Sequence, residues 1–365
     1  MTVGFHSPLP PARTGVADYA SALLAALQRR GTVEVDSCGS DVCLYHLGNN
    51  SLHAGIYRRA LEKPGVIVLH DAVLQHFFLG SLDERAYVEE FVYNYGEWHR
   101  DLARELWAGR ARSGSDHRYF EYPMLRRVAE ASRAVIVHNP AAARMVLAHA
   151  PNARVHEVQH LFTPPHIPAA EVLRFRQELR IAPRTFLFVV LGYLRESKRL
   201  PIILKAFDEV RRQGVDAALA IAGEFVSSDL ARATAPLMDR PDILRLGRAP
   251  DRDFWLLAAA TDACINLRYP AAGETSGIAI RLMGLGKPVV VTESEEISGF
   301  PEAACLRVAP GVAEKIELVQ YMILLARSPG LARDIGLRAA AHIEERHSVE
   351  RVADSYWEIL CACRD

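Results

Sequence analysis

The feature that most constrains this chain is a rhythm of short apolar β-type runs alternating with amphipathic stretches, played twice. Val3–His6, Val33–Asp36, Val42–His46, Val66–Leu69, Ala134–His138 and Arg154–Val158 read as strands. Between them, Val16–Arg29, His53–Glu62, Pro140–His149 and a long aromatic-rich region from Glu84 to Glu130 read as helical. Buried apolar runs separated by helices predict α/β layers around parallel sheets. The rhythm stops at Gln159–Pro168, which holds three prolines and no periodicity, and then restarts. Thr185–Leu191, Ala217–Ala222, Ile243–Leu246, Ala263–Leu267 and Val289–Thr292 are the second set of strands. Arg199–Gln213, Asp253–Ala260 and Ser276–Leu285 are helices of that set, and an amphipathic helix over Val349–Cys363 closes the chain. We therefore expect an N-terminal domain over 1–160, a second over 169–345, and a last helix over 346–365 that packs back on the first. The 365 residues fit two domains of ordinary size.

The balance of charge, −1 overall, offers no basic surface of the kind nucleic acid selects. The six cysteines, Cys38, Cys43, Cys264, Cys305, Cys361 and Cys363, form no CxxC pair and read as reduced thiols. The opening MTVGFHSPLPP has no signal-peptide pattern, and no uncharged apolar run approaches a membrane span. A cytoplasmic protein is expected, with peripheral contact at the inner face of the membrane left open.

Four segments at the carboxyl ends of predicted strands carry chemistry, since ligands of open α/β sheets collect there. In Ser7–Tyr19, Gly15 precedes a helix and would let backbone N–H groups approach an anion or a sugar closely; the run also reads as an ordinary turn. At Val66–Asp71, His70 could bind a sugar hydroxyl and Asp71 could orient it or act as a base; Asp71 also reads as a helix cap. In Leu191–Arg199, Lys198 with Arg195 and Arg199 would gather positive charge against a pyrophosphate, unless the cluster is merely solvated. In Arg268–Pro288, Thr275 and Ser276 are N-cap types whose helix start, with Gly277, could receive phosphate oxygens. Glu274, just before that cap, suits sugar hydroxyls better than phosphate, and the rival reading is a capped core helix. No Asp-x-Asp sits at a strand end, so no metal is expected. The aromatic run Phe91–Trp98 fits an acceptor groove or helical core, and Arg100–Arg133 reads as a solvated face.

Together these segments resemble glycosyltransferase family 4, the retaining GT-B enzymes, over nearly the whole chain. SPLPPARTGVADY looks like the family's glycine loop and VLHD its sugar-contacting histidine strand. SRAVIVHNPAAARMV resembles the end of its first domain, and Gly192-x-Leu194-x-x-x-Lys198 its diphosphate motif. Glu274 through Gly286-Lys287-Pro288 resembles its donor motif. The resemblance implies two facing Rossmann-like domains with a cleft between them. It implies retaining transfer of a hexosyl unit from a nucleoside diphosphate sugar, as co-substrate rather than cofactor, to a hydroxyl acceptor. His70, Lys198 and Glu274 would be catalytic. Gly15, Arg195, Arg199, Thr275, Ser276, Gly277 and Arg281 would bind the donor, and Thr14 and Asp71 would face the acceptor. The chain departs from the pattern twice: Tyr193 stands where an arginine follows the glycine, and Arg281 where a second glutamate grips ribose. Those departures motivate a second reading as a nucleotide-sugar-binding pseudoenzyme; an epimerase of the same fold is a third.

Overall fold

The computed structural model describes every residue except Arg13, Cys38 and Asp365. Cys38, one of the expected thiols, and Arg13 of the first loop thus lie outside the described residues; the other five cysteines are free thiols.

Two six-stranded parallel sheets organise the chain. The first uses β1 (Thr2–His6), β2 (Thr32–Val35), β3 (Val42–Leu47), β4 (Val66–Leu69), β5 (Ala134–Val137) and β6 (Val155–Glu157), in the order β2-β1-β3-β4-β5-β6. The second uses β7 (Phe186–Leu191), β8 (Ala217–Ala222), β9 (Ile243–Gly247), β10 (Ala263–Asn266), β11 (Val289–Thr292) and β12 (Leu306–Val308), in the order β12-β11-β10-β7-β8-β9. Its central strands β7, β8, β10 and β11 are buried along their whole length, which is why they read as continuous apolar runs. Strand order reverses between β1 and β3 in one sheet and between β7 and β10 in the other. Connections on the two sides of such a point leave in opposite directions, so a crevice opens at the carboxyl ends of the strands.

The aromatic region breaks into helices Glu84–Tyr95, Arg100–Gly109, Arg118–Glu121 and Arg126–Ala131. Gly96, at φ 88°, ends the first of them, and Pro123 lies before the last. Phe91 and Tyr95 pack with Tyr122 in the first domain's core, whereas Trp98 is fully exposed. Phe91 and Tyr95 are thus core residues, and the run is no continuous groove.

The segment 159–168 crosses between the sheets without regular structure, and its Phe162 N–H donates to His347 O at 2.7 Å. The last helix, Val349–Ala362, lies on helix Gly15–Gln28 of the first domain. Val352, Tyr356 and Leu360 fill the same core as Leu23 and Leu27. In that contact the hydroxyls of Tyr19 and Tyr356 meet at 2.8 Å, fully buried. A buried hydroxyl stripped of its partner keeps its desolvation cost. Tyr356→Phe should therefore destabilise the protein by about 1–3 kcal/mol, read as a lower urea midpoint; an unchanged midpoint would show that Tyr19 finds another partner.

Candidate active site

The two reversal points face each other across a cleft, and the loops after β4 and β10 touch over it. The Ala72 N–H donates to Ala272 O at 3.0 Å. Asn139 caps helix Pro140–His149, with Oδ1 accepting from the Ala142 N–H at 2.9 Å. Its amide donates to Gly273 O at 2.9 Å and to Thr275 Oγ1 at 3.0 Å. Thr275 Oγ1 in turn donates to His138 O at 3.2 Å. Gly273 has φ 69°, and a Cβ there would stand 2.5 Å from Ala72 Cβ. Only glycine allows both that backbone and that approach.

Between the loops lies a group of charges. Lys198, buried beside the β7–β10 reversal, donates from Nζ to Leu191 O at 2.7 Å and lies 3.5 Å from Asn266 Oδ1. Burial, helped by the charges of Arg268 and Arg195, pushes its ammonium down to about 7. Arg195 is exposed and makes no ion pair among the described residues; its charge acts on Asp71, His76 and Lys198. Glu274 pairs with Arg268 and accepts from the Ala272 N–H at 2.7 Å. Arg268 thus neutralises the carboxylate that would otherwise repel a phosphate nearby. Asp71 accepts from the Asn49 N–H at 2.8 Å. Burial first, and then the charge of Glu274, raises its carboxyl above the usual range.

The helix that follows, Gly277–Gly284, is capped by Ser276, whose Oγ accepts from the Ala279 N–H at 3.3 Å and from Asn266 Nδ2 at 2.8 Å. The first N–H groups of the turn, on Gly277 and Ile278, make no hydrogen bond among the described residues. A small cavity adjoins this turn, lined by Asn266, Arg268, Glu274, Ser276, Thr292 and Phe300 among others. On the opposite domain Thr14 caps helix Gly15–Gln28, accepting from the Val16 N–H at 3.4 Å, and Gly15 has open space beside it.

Two of the expected donor residues pair with carboxylates. Arg199 is bound through Nη2 and Nε to the buried carboxylate of Glu314, the Nη2 contact measuring 2.6 Å. Arg281 crosses the cleft to Asp18 at 3.2 Å, its guanidinium carbon 5.6 Å from the Trp255 ring centre. The structure brings together His70, Asp71, Lys198, Arg195, Glu274, Thr275 and Ser276. Arg268, Asn139 and Asn49 join them without having been singled out from the sequence. Arg268 stands six positions before Glu274 in the same motif, and Asn139 carries a cap signal before Pro140. Among the described residues no group of three or more His, Cys, Asp or Glu side chains could hold a metal ion, and no helix is long and apolar enough to cross a membrane.

His70 belongs to a buried imidazole cluster. Tyr19 touches the rings of His46, His70, His138 and His160 at centroid distances of 6.1, 4.9, 5.3 and 4.6 Å. His138 Nδ1–H donates to Val158 O at 2.8 Å and His347 Nδ1–H to His160 O at 2.6 Å. Burial outweighs these bonds and lowers both side chains to about 4. Between pH 6.5 and 4 the unfolded chain binds protons that the folded one refuses, so stability is full above 6.5 and falls as pH drops through that window. At pH 5 each of the two histidines should cost roughly 2 kcal/mol. Urea midpoints at pH 7 and pH 5 should show that loss, and His138→Leu should show a smaller one; an equal loss in the variant would remove His138 from the account.

No family model matches this sequence, and no curated protein matches it. Solved structures do match in shape. The protein HepE from Anabaena, crystallised with UDP and glucose, shares 15% identity over 99% of this chain and 100% of its own, with a TM-score of 0.66. Sucrose-phosphate synthase from Thermosynechococcus elongatus shares 15% over 99% of each chain, with a TM-score of 0.68. WaaG, a glycosyltransferase involved in lipopolysaccharide biosynthesis, shares 14% over 98% of this chain and 99% of its own, at 0.63. At such identities the likeness establishes the fold, which is GT-B: two Rossmann-like domains facing across a cleft.

Proposed function

We propose that this chain is a glycosyltransferase that moves a hexosyl unit from a nucleoside diphosphate sugar to a hydroxyl acceptor, with retention at the anomeric carbon. The observation that carries this reading is the meeting of Lys198, Arg195 and the open turn at Gly277 at the reversal point of the second sheet, beside a carboxylate already neutralised by Arg268. The structural likeness to HepE with bound UDP and glucose, to sucrose-phosphate synthase and to WaaG supports it.

On this reading the diphosphate lies against Lys198 Nζ, Arg195 and the N–H groups of Gly277 and Ile278, which stabilise the charge that develops as it leaves. These groups do the work for which a divalent cation could otherwise serve. Glu274 holds hydroxyls of the donor sugar, and His70 its far side. Asp71 receives the acceptor from the first domain. The acceptor oxygen bonds the anomeric carbon on the face from which the phosphate oxygen departs, and its proton passes to that phosphate oxygen. The contact of Gly273 with Ala72 closes the cleft over these steps and excludes water. Arg281 bridges the domains through Asp18 rather than gripping ribose, and Arg199 steadies the loop through Glu314.

The test is release of nucleoside diphosphate from a panel of nucleotide sugars with candidate acceptors. Failure to bind any nucleotide sugar overturns the reading, and binding without transfer to any acceptor leaves the pseudoenzyme. Lys198→Ala should lower kcat by about 100-fold or more. A bound diphosphate should also draw a proton onto Lys198, whose ammonium sits at about 7 in the free protein. Diphosphate affinity should then fall as pH rises above 7, with proton uptake visible by calorimetry in buffers of different ionisation enthalpy. In Lys198→Met that dependence should vanish; if it persists, Lys198 is not the contact.

A further inference from the structure

The chemistry of an imidazole contact depends on which ring nitrogen carries the proton, and in His70 that choice is made by another residue. His70 Nε2 lies 2.9 Å from His46 Nδ1, with the two rings nearly parallel at 19°. His46 is fully buried under Phe5, whose ring centre is 4.9 Å away. Burial and neighbouring imidazoles hold both side chains well below the usual histidine range, so both are neutral near pH 7 and a single proton lies between the two nitrogens.

The side on which that proton resides follows from the far nitrogens. His46 Nε2 is buried without a partner among the described residues. If His46 accepted at Nδ1, its proton would sit on Nε2 as a buried N–H bonded to nothing, an arrangement proteins avoid. If it donates from Nδ1, only a bare lone pair is buried. The same pattern recurs around it. His53, His138 and His347 each point Nδ1 at a carbonyl oxygen, which can only accept, and each buries an Nε2 without a partner among the described residues. His46 O is itself the acceptor for His53, at 2.9 Å, which fixes the backbone from which the His46 ring projects. With Nε2 accepting from His46, the proton of His70 must be on Nδ1. That nitrogen makes no hydrogen bond among the described residues and is not among the buried unpartnered atoms, so it is open to the cleft.

We propose that His46 is the positioning residue of the site: by donating from Nδ1 to His70 Nε2, it holds His70 in the Nδ1–H tautomer and presents a hydrogen-bond donor to the bound sugar unit. The identity of what His70 meets rests on the glycosyltransferase reading; the tautomer does not. A second imidazole serves here because it meets His70 edge to edge in nearly the same plane and offers one donor without introducing a charge.

Full-length protein carrying ¹⁵N-labelled histidine tests the two parts separately. Long-range ¹H–¹⁵N correlations near pH 7.5 should show His70 with a protonated Nδ1 and a bare Nε2. In His46→Phe, which keeps a ring but removes the donor, that preference should be lost. In His46→Asn, whose side-chain amide can donate from the same place, it should return. With a turned-over nucleotide sugar, His46→Phe should raise KM for the sugar nucleotide about tenfold, the loss of one hydrogen bond. Affinity for the nucleoside diphosphate alone should not change, and Asn should restore KM in part. A His70 protonated on Nε2 in the unaltered protein overturns the proposal, with or without a folded variant. A correct tautomer without any turnover would spare it and count against the glycosyltransferase reading instead.

Discussion

Everything at the cleft depends on one close approach: the backbone of Gly273 lying on Ala72. Without a side chain at 273 the loop after β10 reaches the loop after β4, and Ala72 N–H bonds Ala272 O. That contact puts Asp71 and His70 of one domain beside Glu274, Arg268 and Lys198 of the other. Asn139 makes it directional, since its side-chain oxygen caps its own helix while its amide reaches the opposite loop. Each charge is answered within its own domain: Glu274 by Arg268, Asp71 by the Asn49 N–H, and Lys198 by the Leu191 carbonyl.

The site uses the two halves of the fold differently. The second sheet supplies cations and an open helix start, the equipment for an anion. The first supplies neutral imidazoles, hydroxyls and a protonation-prone carboxyl. Burial explains both. It pulls Lys198 down toward neutrality, so the lysine is poised to be charged by an arriving anion, and it keeps the histidines uncharged where no carboxylate neighbours them.

Much of this was legible in the sequence, for physical reasons. The inner strands β4, β5, β7, β8 and β11 are fully buried apolar runs, and the segment 159–168 announces itself by its prolines. The loops at strand ends carried Lys198, Glu274 and Ser276 in local patterns, because capping and turn chemistry act over a few residues. Partners far along the chain leave no local signal: Arg199 pairs with Glu314, 115 positions away, and Arg281 meets Asp18 across 263 positions. The pairing of His46 with His70 and the reach of Asn139 are invisible for the same reason. The helical region after Glu84 is interrupted because Gly96 adopts a positive φ, which no apolar periodicity signals.

If the chain transfers glycosyl units as proposed, the second domain alone should hold the donor's diphosphate, and transfer should need the two loops to meet. Gly273→Ala tests it by placing a methyl group 2.5 Å from Ala72 Cβ. Nucleoside diphosphate binding, measured by calorimetry, should stay within about twofold of the unaltered protein, while glycosyl transfer from the same donor should fall by about 100-fold. Transfer at the normal rate in that variant would contradict the account.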